Sequence, residues 1–181
     1  MQDIIDECEI SRGGIYIYFA SVDEIFLEVM KQRSKEKLSS VSCSVHDHKT
    51  FDIVLEEYLA RQKERLVKFE NSLFRAYCEY IFSKPKADVH AFRDTQLKAL
   101  RSSVTSILKL GIQQNIIADE NIPHLADHFI VTIDGLSVLA LSDALTEEVI
   151  DGQFNILKKM INSGLIPKEV EDGFAICNGG V

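Results

Sequence analysis

Apolar residues recur along this chain at helical rather than strand spacing. Phe26, Val29, Met30 and Leu38 mark one side of a segment whose other side carries Lys and Arg, which predicts a helix from Val22 to about Ser40. The polar run SCSVHDHKT, Ser42 to Thr50, reads as a loop. Phe51, Val54, Leu55, Tyr58, Leu59, Leu66 and Phe69 then follow the i, i+3, i+4 pattern of one helix face. Glu70 to Ser72 interrupts that helix. A shorter one carries Leu73, Phe74, Tyr77, Cys78 and Ile81, and Pro85 ends it by disfavouring helical geometry at Lys84. A further long helix carries Leu97, Leu100, Val104, Ile107 and Leu108 and fades at QQNIIADEN. There Asn121 is expected to cap the next helix, with Pro123 in its first turn.

From Ile122 to Leu145 the pattern changes. Leu125, Phe129, Ile130, Val131, Ile133, Leu136, Val138, Leu139 and Leu141 surround the helix, and all-round apolarity implies burial on more than one side. One domain offers one core to bury against, so the second side points to a partner subunit. Thr146, in the sequence TEEV, is placed to cap a last helix with Val149, Ile150, Phe154, Leu157, Met160 and Ile161 on one side. The tail from Gly164 onward holds Pro167, Gly173 and a Gly-Gly pair and is expected to be irregular. The predicted fold class is all-α.

The first residues carry a local conflict. Gly13 and Gly14 followed by Ile-Tyr-Ile-Tyr-Phe is a turn-and-strand composition, yet Ser21-Val22-Asp23-Glu24 opens a helix. A strand here would have no partner for its backbone groups. The helical reading resolves the conflict. Gln2 to Cys8 is amphipathic, with Ile4, Ile5 and Cys8 on one side and Asp3, Asp6 and Glu7 on the other. Ile10 is a buried turn residue, and Ser11 caps a short helix with Ile15 and Phe19 facing inward. Arg12, Tyr16 and the Tyr18 hydroxyl face outward, and Ser21 with Glu24 forms a capping box for the helix from Val22. Helix, tight turn, short helix is the helix-turn-helix unit, whose second helix enters the major groove of DNA.

Composition narrows the function. The chain has 181 residues, 46% hydrophobic and 27% charged, as in an ordinary globular domain. Its net charge of −8 excludes a protein that coats nucleic acid over its whole surface, but not one with a small DNA-binding face. Cys8, Cys43, Cys78 and Cys177 form no C-x-x-C pair, so neither a zinc knuckle nor a thioredoxin-type site is indicated. Free thiols fit a reducing cytosol. No signal peptide is evident, and the most apolar segment, Phe129 to Leu145, is interrupted and short for a membrane span. A cytoplasmic protein without a membrane partner is expected.

Candidate chemistry is sparse. His124 and His128 have i, i+4 ligand spacing but no third ligand at fixed spacing, and His46 and His48 lie in the polar loop. No metal or cofactor is expected. No histidine has a carboxylate three residues before it, and there is no nucleophile elbow or phosphate loop. An enzyme is therefore not expected. Tyr58, Tyr77, Gln96, His128 and Thr132 are polar or half-polar groups on otherwise apolar helix faces. Such groups orient a ligand in an apolar pocket, though any one of them taken singly reads more simply as a satisfied core or boundary residue.

The stretch MQDIIDECEISRGGIYIYFASVDEIFLEVM resembles the DNA-binding signature of the tetracycline-repressor (TetR) family of bacterial regulators. The matching pieces are Ile10-Ser11-Arg12-Gly13, the recognition-helix pattern Ile15-Tyr16-Ile17-Tyr18-Phe19, and the helix opening Ser21 to Phe26. Ile133 to Leu136, IDGL, also resembles a common feature of the family. The resemblance implies a homodimeric repressor, paired through the helices near 122–145 and 147–163, on a palindromic operator. It implies a small apolar or amphipathic effector held by the middle helices. Arg12 and Gly14 would lie against base edges, and Ser11, Tyr16 and Tyr18 against phosphates. On this reading residues 1–37 are a partial helix-turn-helix region including the start of the connecting helix, and residues 38–181 form the effector-binding and dimerisation domain.

Three departures weaken the DNA-binding expectation. The family's first helix is missing, the chain starting inside helix two as if it began late, so Ile4, Ile5, Ile15 and Phe19 are expected to lose a packing partner at ~1.5–3 kcal/mol per fully exposed side chain. Glu9 stands where the family's turn has Gly, and Ala20 and Val22 replace frequent lysines. Residues 1–37 hold eight acids and five bases, a net −3, where phosphate contacts need positive charge. A small-molecule-binding helical dimer without a competent DNA-binding head is the alternative.

Overall fold

The computed structural model describes residues 1–46, 49–117 and 122–163. The fold is all-α, with no strand among the described residues. The helices are α1 (Gln2–Glu7), α2 (Arg12–Tyr18), α3 (Val22–His46), α4 (Phe51–Val67), α5 (Leu73–Ser83), α6 (Lys86–Gln113), α7 (Ile122–Leu141) and α8 (Glu147–Ser163). A single 3-10 turn at Phe69–Asn71 joins α4 to α5. Short α1 and α2 pack on each other, α3 lies along α6, and α4 packs against α6, α7 and α8. The core is built where these long helices meet, around Phe51, Leu108, Phe129, Ile133, Ile150 and Leu157.

Several boundaries follow from local chemistry. Ser72 begins α5 by accepting a hydrogen bond from the Arg75 N–H (3.3 Å). Lys84 is extended at φ −107° and ψ 153°, as the residue before Pro85 must be. Thr146 opens α8, its hydroxyl accepting from the Val149 N–H (3.3 Å). Gln114 supplies the cap that Thr50 does not. Its Oε1 accepts from the Phe51 N–H (2.8 Å) and its Nε2 donates to the Lys49 carbonyl (3.2 Å), tying the start of α4 to the end of α6.

Elsewhere the structure departs from the sequence pattern. The helix expected to stop near Ser40 continues through Ser42 to His46, so this part of the polar run is not loop. The physical reason is tertiary: Val41 and Ser44, one turn apart, are both buried, and Val41 joins the core. The α7 helix ends at Leu141 rather than Leu145. Asp143 takes φ 53° there, and the amides of Asp143 and Ala144 return to the carbonyls of Ala140 and Leu139, the double bond of a Schellman cap. The Asn121 cap, His48 and the tail from Gly164, with Cys177, lie outside the described residues. By length and composition α7 could cross a membrane, though much of it, including Leu125, Phe129, Ile133 and Leu136, is buried inside the bundle.

Gly111 sits where the turn after α6 folds back on the helix and the start of α4 comes close. A Cβ built there would lie 2.5 Å from Ile117 Cδ1 and 3.0 Å from Phe51 Cδ2, and both neighbours are themselves buried. Gly111→Ala should therefore destabilise the chain by about 1–3 kcal/mol through overpacking, read as a lower urea midpoint at unchanged slope. An unchanged midpoint would show that Ile117 swings away freely.

Candidate DNA-reading helix and ligand cavity

The turn between α1 and α2 is a complete Schellman cap. The Glu9 N–H reaches the Asp6 carbonyl (3.4 Å) and the Ile10 N–H reaches the Ile5 carbonyl (3.2 Å), with Glu9 at φ 52°. That left-handed position is the one glycine fills without strain, so Glu9 is held there against its preference. Glu9→Gly should stabilise the turn by about 0.5–1 kcal/mol, the relief of strain exceeding the chain entropy that glycine loses. Urea denaturation monitored by helical circular dichroism would check this, and a lower midpoint for the variant would refute it.

Ser11 then opens α2, its Oγ accepting from the Gly14 N–H at 3.0 Å. A Cβ on Gly14 would sit 2.9 Å from that oxygen, so the glycine keeps the cap closed. Ile5 and Ile15 are buried where the two short helices meet, which corrects the expectation that both would lose their packing partner. Ile4 and Phe19 are half-buried. Phe19 is the extended C-cap of α2 rather than part of the helix. Ile10, expected to be buried, is exposed because its side chain follows the left-handed residue and leaves the α1–α2 contact; Cys8 is exposed too. At the start of α3 the Ser21 hydroxyl accepts from the Glu24 N–H (3.2 Å), while the Glu24 carboxylate reaches past Ser21 to the Ala20 N–H (2.7 Å).

The structure thus gathers Ser11, Arg12, Gly14, Tyr16 and Tyr18 on one short helix, all exposed except half-buried Gly14. Arg12 lies over the Tyr16 ring at 6.0 Å, which narrows its range of positions. Ile17, given no role by the sequence pattern, is 78% exposed, as is Tyr18. An isoleucine so displayed beside two tyrosines offers apolar contact of the kind a thymine methyl takes. Its signal was present in the sequence as an apolar residue off the Ile15 side of the helix.

A cavity of about 620 Å³ lies between α3, α4, α5, α6 and α7. It brings together three of the five polar candidates, Tyr58, Tyr77 and Gln96. His128 is exposed on the outer side of α7, and Thr132 is half-buried; neither lines the cavity. The physical reason is helical phase: Ile133 and Asp134 are the α7 residues turned towards it. Gln96 accepts from the Ser34 hydroxyl (2.7 Å), a bond that staples α3 to α6. Tyr58 is buried, and burial above all pushes its phenol up beyond its ordinary pKa, so the hydroxyl stays protonated. Tyr77 and the Cys78 thiol are raised by burial as well, the thiol to about 11. Asp134 is raised by burial and drawn the other way by Arg65 and Arg93.

Sequence reasoning missed Arg65. It lies seven residues from Tyr58 on the same side of α4, so the spacing was there to be read. Its guanidinium sits 4.2 Å from the Phe74 ring centroid. From Phe74 a run of aromatic contacts leaves the cavity: Tyr77 at 5.4 Å, then Phe92 at 5.8 Å, then Tyr80 and Phe26. Phe26 is on the first turns of α3, next to the short helices. Lys84 at the end of α5 also bonds Asp23 there (2.5 Å).

The outer side of α7 and α8 is unusual in composition. Val131, Gly135 and Val138 form one stripe, and Val149, Gly152 and Ile156 another, with the valines and isoleucine exposed and open space over both glycines. His124 stands on the same side of α7 as His128, and no group of three potential metal ligands occurs among the described residues.

These features define an all-helical protein with a short helix-turn-helix unit on a bundle that holds a half-open cavity. One curated protein is similar in sequence: the uncharacterized HTH-type transcriptional regulator YfiR of Bacillus subtilis, 30% identical over 81 residues. The match takes in 45% of this chain and 39% of that protein, so the chain spans about two-fifths of its relative's length. No family model matches, and no solved structure matches.

Proposed function

We propose that this chain is a ligand-responsive, DNA-binding transcriptional regulator of the TetR type, a homodimeric repressor acting on a palindromic operator in the cytoplasm. The observation that carries the reading is the display on α2: a capped short helix after a tight turn, with Arg12, Tyr16 and Tyr18 exposed together. A guanidinium reads guanine with two parallel hydrogen bonds, and hydroxyls of tyrosine and serine donate to phosphates. Similarity to a protein named as an HTH-type transcriptional regulator supports it.

The other parts of the reading have their own support. The stripes on α7 and α8 suit a two-fold four-helix contact, in which the glycines let helices approach closely. Tyr58, Tyr77 and Gln96 suit effector contacts; for His128 and Thr132 the outer side of α7 makes the dimer contact the better role. Besides the α3 residues that line the cavity, the aromatic run to Phe26 and the Lys84–Asp23 bridge give an effector two physical links to the first turns of α3. In the dimer the two α2 helices should sit ~34–36 Å apart, one turn of DNA, or at another spacing the dimer sets. The second reading, a ligand-binding dimer with no competent DNA head, is favoured by one observation, the net −3 of residues 1–37.

Fluorescence anisotropy with duplex DNA from upstream of the protein's own gene, at two salt concentrations, separates them. Saturable binding that prefers this DNA over a scrambled duplex and weakens with salt is expected. Equal, weak binding to both duplexes would remove the regulator reading and leave the ligand-binding dimer.

A further inference from the structure

The cavity contains two buried donors that nothing among the described residues satisfies. The Tyr58 hydroxyl and the Arg65 Nε are both without solvent contact and without a hydrogen-bond partner. Tyr58 is only 4% exposed. Buried polar groups are almost always paired, and an unpaired donor beside an open cavity points to an acceptor that arrives from outside. The two residues are seven apart on α4 and line the same cavity.

The charges around the cavity decide which acceptor. Lys68 is held by Glu64 at 2.8 Å, and Arg33 by Glu36 at 3.7 Å. Arg65 has no ion pair among the described residues. Asp134 on α7 acts on it electrostatically, yet no salt bridge joins the two among the described residues. A half-buried guanidinium, its Nε shut off from solvent and its plane held over Phe74, is left with no carboxylate paired to it among the described residues. Leu97, Leu100, Ile133 and Phe74 give the lining an apolar part, beside polar Ser34, Gln62, Gln96 and Ser103 and the exposed Arg61.

We infer that the cavity takes an amphipathic carboxylate, its headgroup accepting from Arg65 and Tyr58 and its apolar body lying along Leu97, Leu100 and Ile133. This rests on the reading of the cavity as the effector site and names the class of ligand. The guanidinium matches a carboxylate in shape and charge, and the neutral phenol adds a third donor at the second oxygen. A volume of about 620 Å³ lies within the range of small-molecule sites, ~300–1,000 Å³. Binding would neutralise Arg65 directly over Phe74, the ring that begins the aromatic run to α3.

Calorimetric titration of the whole chain with decanoate, decanol and decyltrimethylammonium, each below its micelle-forming concentration, tests this. The three share one chain length and differ in headgroup charge. Decanoate should bind about tenfold or more tightly than decanol, and the cation least of all. Arg65→Met, which keeps the stem, should lower decanoate affinity about tenfold or more and leave decanol unchanged. Tyr58→Phe should lower it by a smaller factor. Circular dichroism of each variant reports folding, and the comparison of headgroups on the unaltered chain needs no variant. Equal binding of decanoate and decanol, preference for the cation, or no binding of any of the three would overturn the inference. Operator binding is measured separately. Decanoate that binds but leaves DNA affinity unchanged would refute the ligand-responsive regulator while the ligand class stands.

Discussion

Replacing Val138 with glutamate should convert the proposed dimer to a folded monomer. Val138 is 57% exposed on the outer side of α7, so in a lone subunit its replacement disturbs no core contact, and helix content should be unchanged. In a two-fold contact the same position is dehydrated and repeated, so one substitution places two carboxylates in or near a shared apolar surface. Leaving a buried charge without a partner costs about 3–5 kcal/mol, enough to weaken association more than a hundredfold. Sedimentation at micromolar concentration should show about twice the chain mass of 20.4 kDa for the unaltered protein and a single chain for Val138→Glu. DNA binding should fall with it, because two recognition helices held together gain from effective concentration and one alone does not. A single-chain mass for the unaltered protein would remove the dimer from the proposal.

Arg12→Ala should abolish most of the preference for operator over scrambled DNA, a loss of about 1–3 kcal/mol or roughly ten- to a hundredfold per site. Arg12 is exposed and makes no ion pair among the described residues, so its removal should leave the fold intact. Its position over the Tyr16 ring means that the free protein already restricts the guanidinium, and less entropy is lost on binding. The salt dependence distinguishes two roles. If Arg12 reads a base, the variant loses discrimination. If it holds a phosphate, affinity falls evenly across sequences and the salt slope drops by about one. Unchanged affinity for both duplexes would take Arg12 out of the DNA contact altogether.

Much of the helical order was legible because the breakers and caps are local. Pro85 sets the end of α5, Ser72 and Thr146 open helices with their own hydroxyls, and Ser11 and Ser21 do the same around α2. The conflict at Gly13 to Phe19 also resolves locally: two glycines lower helix propensity, but the Ser11 cap and the turn behind it favour the helix. The left-handed turn position at Glu9 was legible only by likeness to a pattern that has Gly there. Among the cavity residues, Tyr58, Tyr77 and Gln96 stood out as polar groups on apolar faces. Arg65 did not, because a long cationic side chain on a helix ordinarily reaches water.

Sequence alone determined that this protein is all-α, where most helices start and stop, and that its first residues form a helix-turn-helix unit with a tyrosine-rich second helix. These are matters of period, caps and breakers within a few residues of one another. Tertiary structure decided what depends on residues far apart in the chain. It extended α3 to His46 because Val41 and Ser44 meet the bundle. It placed Gln114 at the start of α4, turned His128 outward, and left the Tyr58 hydroxyl and the Arg65 Nε in one cavity without a hydrogen-bond partner among the described residues. Whether a polar side chain is satisfied depends on which neighbours the folded chain brings to it, and no periodicity encodes that.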